Sequence, residues 1–328
     1  MYAVSVMKKG KEKMLERKQQ KMKKRIKNIS IITLALALIV TMFAACGNAP
    51  ASSPEPAPTP STPAETTPAP EPEASSLSGD IVQAGSTSVQ PVSQELADAF
   101  MDLHPNVIID IQGGGSGQGV KAVEEDLVDF GALSRELKDE EKAVLKHEWV
   151  IAKDGIAIVV NKDVDVDDLT KEQIKDIFTG VITNWSEVGG TNAKIEVIVR
   201  EEGSGTRDAF NELTGVLGKD ADGNNVDNTV DTALIQGSTG AIVQTVGATE
   251  HSIGYISLGS LNDSVVAIKV EGVAPSAATV LDKSYVVARP FILITGRDLS
   301  AQAQAFIDFI MGADGQAIVE ASGFIPVK

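Results

Sequence analysis

Three short runs of glycine and hydroxyl residues constrain this chain more than any other feature. They are Gly85-Ser86-Thr87-Ser88, Gly113-Gly114-Gly115-Ser116-Gly117 and Gly203-Ser204-Gly205-Thr206, the last preceded by Arg200-Glu201-Glu202 and followed by Arg207. Each falls where a strand or loop pattern feeds a stretch with helical spacing. The first turn of a helix presents backbone N–H groups without intrahelical acceptors and carries partial positive charge. Glycine lets a ligand approach the backbone closely, and Ser or Thr adds hydroxyl donors. Several such starts converging on one point make an oxyanion site without a metal. The expectation is a fold that gathers distant loop–helix junctions around a small tetrahedral anion.

Strand and helix patterns alternate from Gly79 onward. Strands are expected over 80–84, 107–111, 129–134, 194–199, 253–257 and 284–295, with one or two more over 149–160. Helices are expected over 92–103, from a Ser116 cap to about 125, over 170–178 with Thr170 as cap and Gln173 completing a capping box, and over 206–213, 238–246 and 301–311. Residues 214–232, rich in Gly, Asn and Asp, read as an exposed loop. This alternation implies a largely parallel sheet with helices on its faces.

Charge is distributed unevenly. Residues 1–45 hold 11 of the 29 Lys and Arg and only 2 of the 45 Asp and Glu. The acidic remainder argues against nucleic acid, whose phosphates need a basic surface. Any anion must therefore be held by local dipoles and hydrogen bonds against the overall field. With 328 residues the chain is long enough for two domains, and its single cysteine, Cys46, permits no internal disulfide and no paired-cysteine zinc site. His104, His147 and His251 lack metal-ligand spacing, so neither metal nor cofactor is expected.

The amino-terminal region reads as an address. A basic stretch leads into an apolar run over 29–45, and Ala44-Ala45-Cys46-Gly47 follows. This is an export signal over 1–45. The Ala-Ala-Cys sequence resembles a bacterial lipobox, with Phe43 where Leu is usual, so Cys46 is expected to carry lipid. An uncleaved membrane anchor is the alternative. The basic region is long, and translation from Met22 would give a more ordinary signal. Nine of the 14 prolines lie in 48–78 among Ala, Ser and Thr. Together with Cys46 this forms a tether over 46–78, able to reach at most about 100 Å in extended form.

The folded part resembles the phosphate-binding lipoproteins of bacterial phosphate ABC transporters, within the class II periplasmic-binding-protein superfamily. The resemblance rests on the order and spacing of Gly85-Ser86-Thr87-Ser88-Val89, the Gln112 to Val120 glycine run, Asp129-Phe130-Gly131-Ala132, Asp176-Ile177-Phe178-Thr179-Gly180 with Asn184-Trp185, Gly203-Ser204-Gly205-Thr206 and Ile253-Gly254-Tyr255. It implies an α/β, two-lobed fold with the ligand cleft between lobes: lobe 1 from 79–158 plus 252–328, lobe 2 from 159–251. It implies that Ser88, the Val89 N–H, Ser116, Arg200, Ser204, Gly205 and Thr206 hold the anion and that Glu202 braces Arg200. Where many members carry an Asp that accepts the proton of hydrogen phosphate, this chain has Ser134, with Arg135 beside it. A serine both donates and accepts, so the argument for rejecting sulfate weakens. The implied protein is a lipid-anchored monomer on the outer face of the membrane. It would capture inorganic phosphate for an ABC permease and its ATPase.

Blander readings stand beside these. Without the resemblance, Ser88 and Ser116 read first as plain helix caps, and Arg200 suits a surface ion pair with Glu201 or Glu202. Gln118 breaks the dinucleotide fingerprint in the Gly113–Gly119 run, and 203–207 lacks the longer glycine spacing and the lysine of a P-loop. Trp149, Trp185, Phe178, Leu96, Phe100 and Leu103 are expected in the core, with His147 and His251 structural. A hydrolase or phosphatase would need an activated nucleophile or metal ligands, and no Gly-x-Ser-x-Gly elbow surrounds Ser116 or Ser204. A third reading is an adhesion or signalling module that has lost the site.

Overall fold

The computed structural model describes residues 77–327. The expected signal, Cys46 and nearly all of the tether lie outside the described residues. Strand β1 (Gly79–Gly85) leads into helix α1 (Gln90–Leu103), then β2 (Val107–Gln112), α2 (Ser116–Glu124), β3 (Phe130–Leu133) and the short α3 (Asp139–Lys142). Pro91 sits in the first turn of α1, where its missing N–H costs nothing. Val92, Leu96 and Phe100 bury one face of that helix, whereas Leu103 is 59% exposed. The helix ends at Leu103, and Phe100 is the last side chain of the stripe to reach the core.

Next comes the 14-residue β4 (His147–Val160), one continuous strand. Beyond it lie β5 (Asp168–Leu169), α4 (Lys171–Phe178), β6 (Glu196–Arg200) and α5 (Gly205–Thr214). Thr170 caps α4, accepting from the Gln173 N–H while the Gln173 side chain returns to the Thr170 N–H, as the capping-box spacing requires. The region expected as a loop contains a small hairpin, β7 (Leu217–Lys219) with β8 (Asn225–Asp227). Then follow β9 (Leu234–Gln236), α6 (Thr239–Ala248), β10 (Ser252–Ser257), β11 (Val266–Ala267) and β12 (Lys269–Val270). The chain closes with α7 (Ala277–Leu281), β13 (Ala288–Thr295), α8 (Ala301–Met311) and α9 (Ala313–Ala321).

The main sheet runs β2-β1-β3-β13-β4-β10-β6-β9, with β11 also on β4. Its flanks are parallel, β1 with β2 and β3 on one side and β6 with β9 and β10 on the other. Its centre is antiparallel, because β13 runs against β3 and β4, and β10 against β4. Strand β4 joins the halves: residues 147–155 pair with β13, and residues 156–160 pair with β10. The expectation of a largely parallel sheet therefore holds only for the flanks.

The interior divides the same way. Ile81, Leu96, Phe130, Phe291 and Phe306 anchor the core of the first half, and Ile158, Phe178, Trp185, Phe210 and Tyr255 that of the second. Ile268, Val270, Val280, Tyr285 and Val287 pack with the second group. Among the described residues no helix is long and apolar enough to cross a membrane.

Candidate functional site

Helices α1, α2, α5 and α6 begin next to one another, α1 and α2 on the first half of the sheet and α5 and α6 on the second. The turn before α1 is set by Gly85, at φ 137°, where a Cβ would lie 2.3 Å from the Ala132 carbonyl oxygen. Only glycine fits there. The turn brings Ser88 to the other half: its hydroxyl lies 2.8 Å from Thr206 Oγ1 and 2.9 Å from Thr239 Oγ1. The Thr239 N–H donates to Thr87 Oγ1 at 3.2 Å, and the Gly117 N–H to the Gly203 carbonyl at 2.9 Å. Ser88, Ser116, Ser134, Arg200, Ser204, Thr206 and Thr239 are all at most 2% exposed.

Arg200 ends β6 with its guanidinium 1% exposed. Nε and Nη2 donate to the two Glu201 oxygens at 2.8 and 2.7 Å, and Nη1 donates to Thr239 Oγ1 at 3.1 Å. The fork is thus held in one plane by a carboxylate on one edge and turned toward hydroxyls on the other. Its backbone is pinned as well. The Arg200 N–H donates to the Tyr255 hydroxyl at 3.2 Å, and Arg207 Nη1 donates to the Arg200 carbonyl at 2.7 Å. Burial pushes the Tyr255 hydroxyl well above its ordinary pKa, so it stays protonated; the ring stacks on Phe210 at 4.0 Å. Bracing therefore comes from Glu201; Glu202 is exposed. The bidentate geometry reaches the adjacent residue and not the one beyond.

On the other side, the Ser134 N–H donates to Ser116 Oγ at 3.1 Å and Ser86 Oγ donates to Ser134 Oγ at 2.8 Å. With Ser86 as donor, the Ser134 proton is left to point elsewhere. A Cβ on Gly205 would lie 2.1 Å from Ser116 Oγ and 3.0 Å from Ser134 Oγ, so the two halves meet here at van der Waals contact. The Ser134 carbonyl accepts from Arg289 Nη1 at 2.9 Å, and Arg289 pairs with Asp154 at 3.1 Å. Burial pushes the Asp154 carboxyl up to about 6 in spite of the Arg289 charge beside it.

The structure brings together Ser88, Ser116, Ser134, Arg200, Gly205 and Thr206, as the sequence led one to expect. Three details differ. Ser116 is the first residue of α2 and not its cap, which is Gly115 with φ 91°; the Ser116 hydroxyl is left for Ser134. Ser204 does cap α5, accepting the Arg207 N–H at 3.4 Å. The Val89 N–H is taken up within its own turn, by the Ser86 carbonyl at 3.2 Å and Ser86 Oγ at 3.4 Å, and the Val89 side chain is core. Thr239, Ser86 and Arg289 were missed. Thr239 had a signal: Gly237-Ser238-Thr239-Gly240 is a fourth glycine–hydroxyl run at a helix start. Among the described residues no group of three or more His, Cys, Asp or Glu side chains is placed to hold a metal ion.

Fold and site together define a binding protein of two α/β lobes closed over a buried cluster of hydroxyls, helix starts and one braced guanidinium. Its relatives agree. The family model of the PBP superfamily domain matches residues 59–314. The chain is 31% identical over 307 residues to the phosphate-binding protein PstS of Bacillus subtilis, covering 92% of this chain and 95% of that one. A Clostridium perfringens protein solved with bound phosphate, described as a candidate phosphate ABC transporter substrate-binding protein, is 44% identical. It aligns with 76% of this chain and 100% of its own at a TM-score of 0.71. An ABC-type phosphate transport receptor from Vibrio cholerae is 34% identical, with 75% of this chain and 99% of that one covered at a TM-score of 0.63. The chain belongs to the PBP superfamily.

Proposed function

We propose that this protein is the substrate-binding component of a phosphate ABC importer and captures inorganic phosphate in the cleft just described. The observation that carries this is the convergence of Ser88, Ser116, Thr206 and Thr239 from four helix starts, and of Arg200 from the end of β6, all buried, on two halves of the sheet. Donors that are fixed and desolvated before the ligand arrives bind an anion strongly, because charge-assisted bonds exceed neutral ones. The 44% identical relative with bound phosphate supports the same reading.

The proposed ligand set is Ser88, Ser116, Ser134, Arg200, Ser204, Gly205, Thr206 and Thr239, with Val89 omitted because Ser86 takes its N–H. The proposed lobes meet at the strand exchange within β4, after Gly155, and residues 265–287 go with the second lobe, whose core they join. This shifts the return crossing from the 251/252 boundary expected from sequence toward Ala288. Phosphate shifts the population toward the closed form, which docks on the permease. The protein acts without catalysis, outside the cytoplasm, as a monomer tethered through lipid on Cys46.

A second reading, a less selective receptor for tetrahedral oxyanions, is favoured by Ser134, a hydroxyl where a carboxylate would reject sulfate. Calorimetric titration of the anion-stripped protein with phosphate and then sulfate decides. Tight one-to-one phosphate binding with weak sulfate binding is expected. Equal binding of both gives the broader receptor, binding of neither overturns the proposal, and turnover of a chromogenic phosphate ester would make it an enzyme.

A further inference from the structure

Just outside the anion cluster, four charged side chains meet across the cleft. Arg135 follows Ser134 directly, and its guanidinium is 6% exposed. Nη1 and Nη2 donate to the two Glu141 oxygens at 2.7 and 2.6 Å. Glu141 also accepts the Lys138 N–H at 2.9 Å, so helix α3 holds the pair rigidly within the first half of the sheet. The remaining edge of Arg135 faces the other half: its Nε lies 3.0 Å from Asp208 Oδ2, and Lys138 Nζ lies 3.8 Å from the same oxygen. Asp208 stands in the first turn of α5, two residues beyond Thr206.

The charge count has a direction. Arg135, Lys138 and Glu141 leave the first half with one net positive charge, and Asp208 brings one negative charge from the second. Burial alone would lower the Arg135 pKa, and the Glu141 and Asp208 carboxylates outweigh it, so the guanidinium stays charged. We propose that Arg135 and Asp208 are positioning residues for ligand capture: an ion pair across the cleft that seats the first turn of α5 on Ser116 and Ser134 and thereby sets how long phosphate is retained. Closure brings Thr206 to Ser88, Gly205 to Ser116 and Asp208 to Arg135 in one movement, since all three second-half residues lie on one helical turn. In an open form the uncompensated Asp208 charge sits beside the anion cradle and slows entry; in the closed form Arg135 and Lys138 neutralise it. The pair therefore acts chiefly on departure.

This inference rests on the phosphate-receptor reading, and its test separates the two. Phosphate association and dissociation rates are measured by stopped flow for the full-length protein, Asp208→Asn, Asp208→Glu and Asp139→Asn over a salt series. Asp139 pairs with Lys142 in the exposed part of α3 and controls for net charge. Asp208 is 30% exposed, between the surface and buried cases. On that basis Asp208→Asn should raise the dissociation rate about five- to thirtyfold with association unchanged or faster. Salt should speed dissociation from the wild type more than from this variant. Asp208→Glu should recover part of the loss, and Asp139→Asn should match the wild type. Thermal unfolding without phosphate should change little, because Arg135 keeps Glu141. Wild-type dissociation rates in Asp208→Asn at every salt concentration would overturn the latch while leaving the receptor intact. A wild type that does not bind phosphate would overturn both.

Discussion

Gly205→Ala tests the closed cleft at its tightest point. The added methyl would lie 2.1 Å from Ser116 Oγ, 2.9 Å from Ser116 Cβ and 3.0 Å from Ser134 Oγ. These neighbours are short side chains at 0% exposure, so neither can swing aside. Ser116 Oγ would also have to give up the Ser134 N–H. Overpacking of this kind costs about 1–3 kcal/mol, and the lost hydrogen bond about 0.5–1.5 kcal/mol. Together these weaken phosphate binding about 10- to 2,000-fold. The cost falls on the closed form alone, because Gly205 belongs to α5 and both serines to the other half of the sheet. In the open form alanine is a better helix residue than glycine, so the ligand-free variant should be as stable as the parent or slightly more so. Calorimetry gives the affinity. Thermal unfolding with and without phosphate gives the partition: a hundredfold loss removes about 2.7 kcal/mol of ligand-dependent stabilisation. A variant with parental affinity would refute the geometry, since the methyl could not then lie where the closed cleft puts it.

Arg200→Lys keeps the charge but loses both the fork on Glu201 and the bond to Thr239. Phosphate affinity should fall at least about tenfold with the fold intact, because an ammonium cannot reproduce planar bidentate geometry; unchanged calorimetric affinity would remove Arg200 from the site. Thr239→Val removes the hydroxyl shared by Ser88 and Arg200 and should weaken phosphate binding about tenfold with little change in volume. The Asp154 carboxyl should titrate near 6, above its ordinary value of 3.8. Since the folded state then holds a proton that the unfolded state has lost, its contribution to stability is fullest below the unfolded pKa. It declines by about 3 kcal/mol as pH rises from about 4 to 6. Carboxyl-carbon NMR of the folded protein reads this titration directly, and a midpoint below 4 would show that Arg289 prevails over burial.

Much of the site was legible because its chemistry is local. A helix start announces itself within four or five residues, and Ser204-Gly205-Thr206 needed no tertiary information to be read as a candidate anion cradle. Thr239 carried the same signal in Gly237-Ser238-Thr239-Gly240. The strand before it, β9, has only three residues and gives almost no periodicity, so the helix expected over 238–246 lacks a visible strand–helix junction in the sequence. Helix α9 leaves little trace in the sequence, because Gly312 and Gly315 suggest a turn where the chain begins a second helix against the first. Arg289 and Asp154 were invisible for another reason. They are 135 positions apart and meet only because β13 runs antiparallel to β4, which sets Arg289 opposite Asp154.

Local pattern was enough for most of the elements and for the donor chemistry: alternating strands and helices, glycine turns feeding helix starts, Arg200 and Arg207 flanking one of them, and a single cysteine. Capping and periodicity act over a few residues, so they survive without knowledge of what packs against them. Packing settled which strands are antiparallel, that Glu201 and not Glu202 holds Arg200, and that Ser116 serves Ser134 instead of capping α2. It alone set Asp208 against Arg135 across the cleft. Each of those outcomes depends on which of several competent partners arrives at about 3 Å, and that distance is set by the packing of two half-sheets through one shared strand.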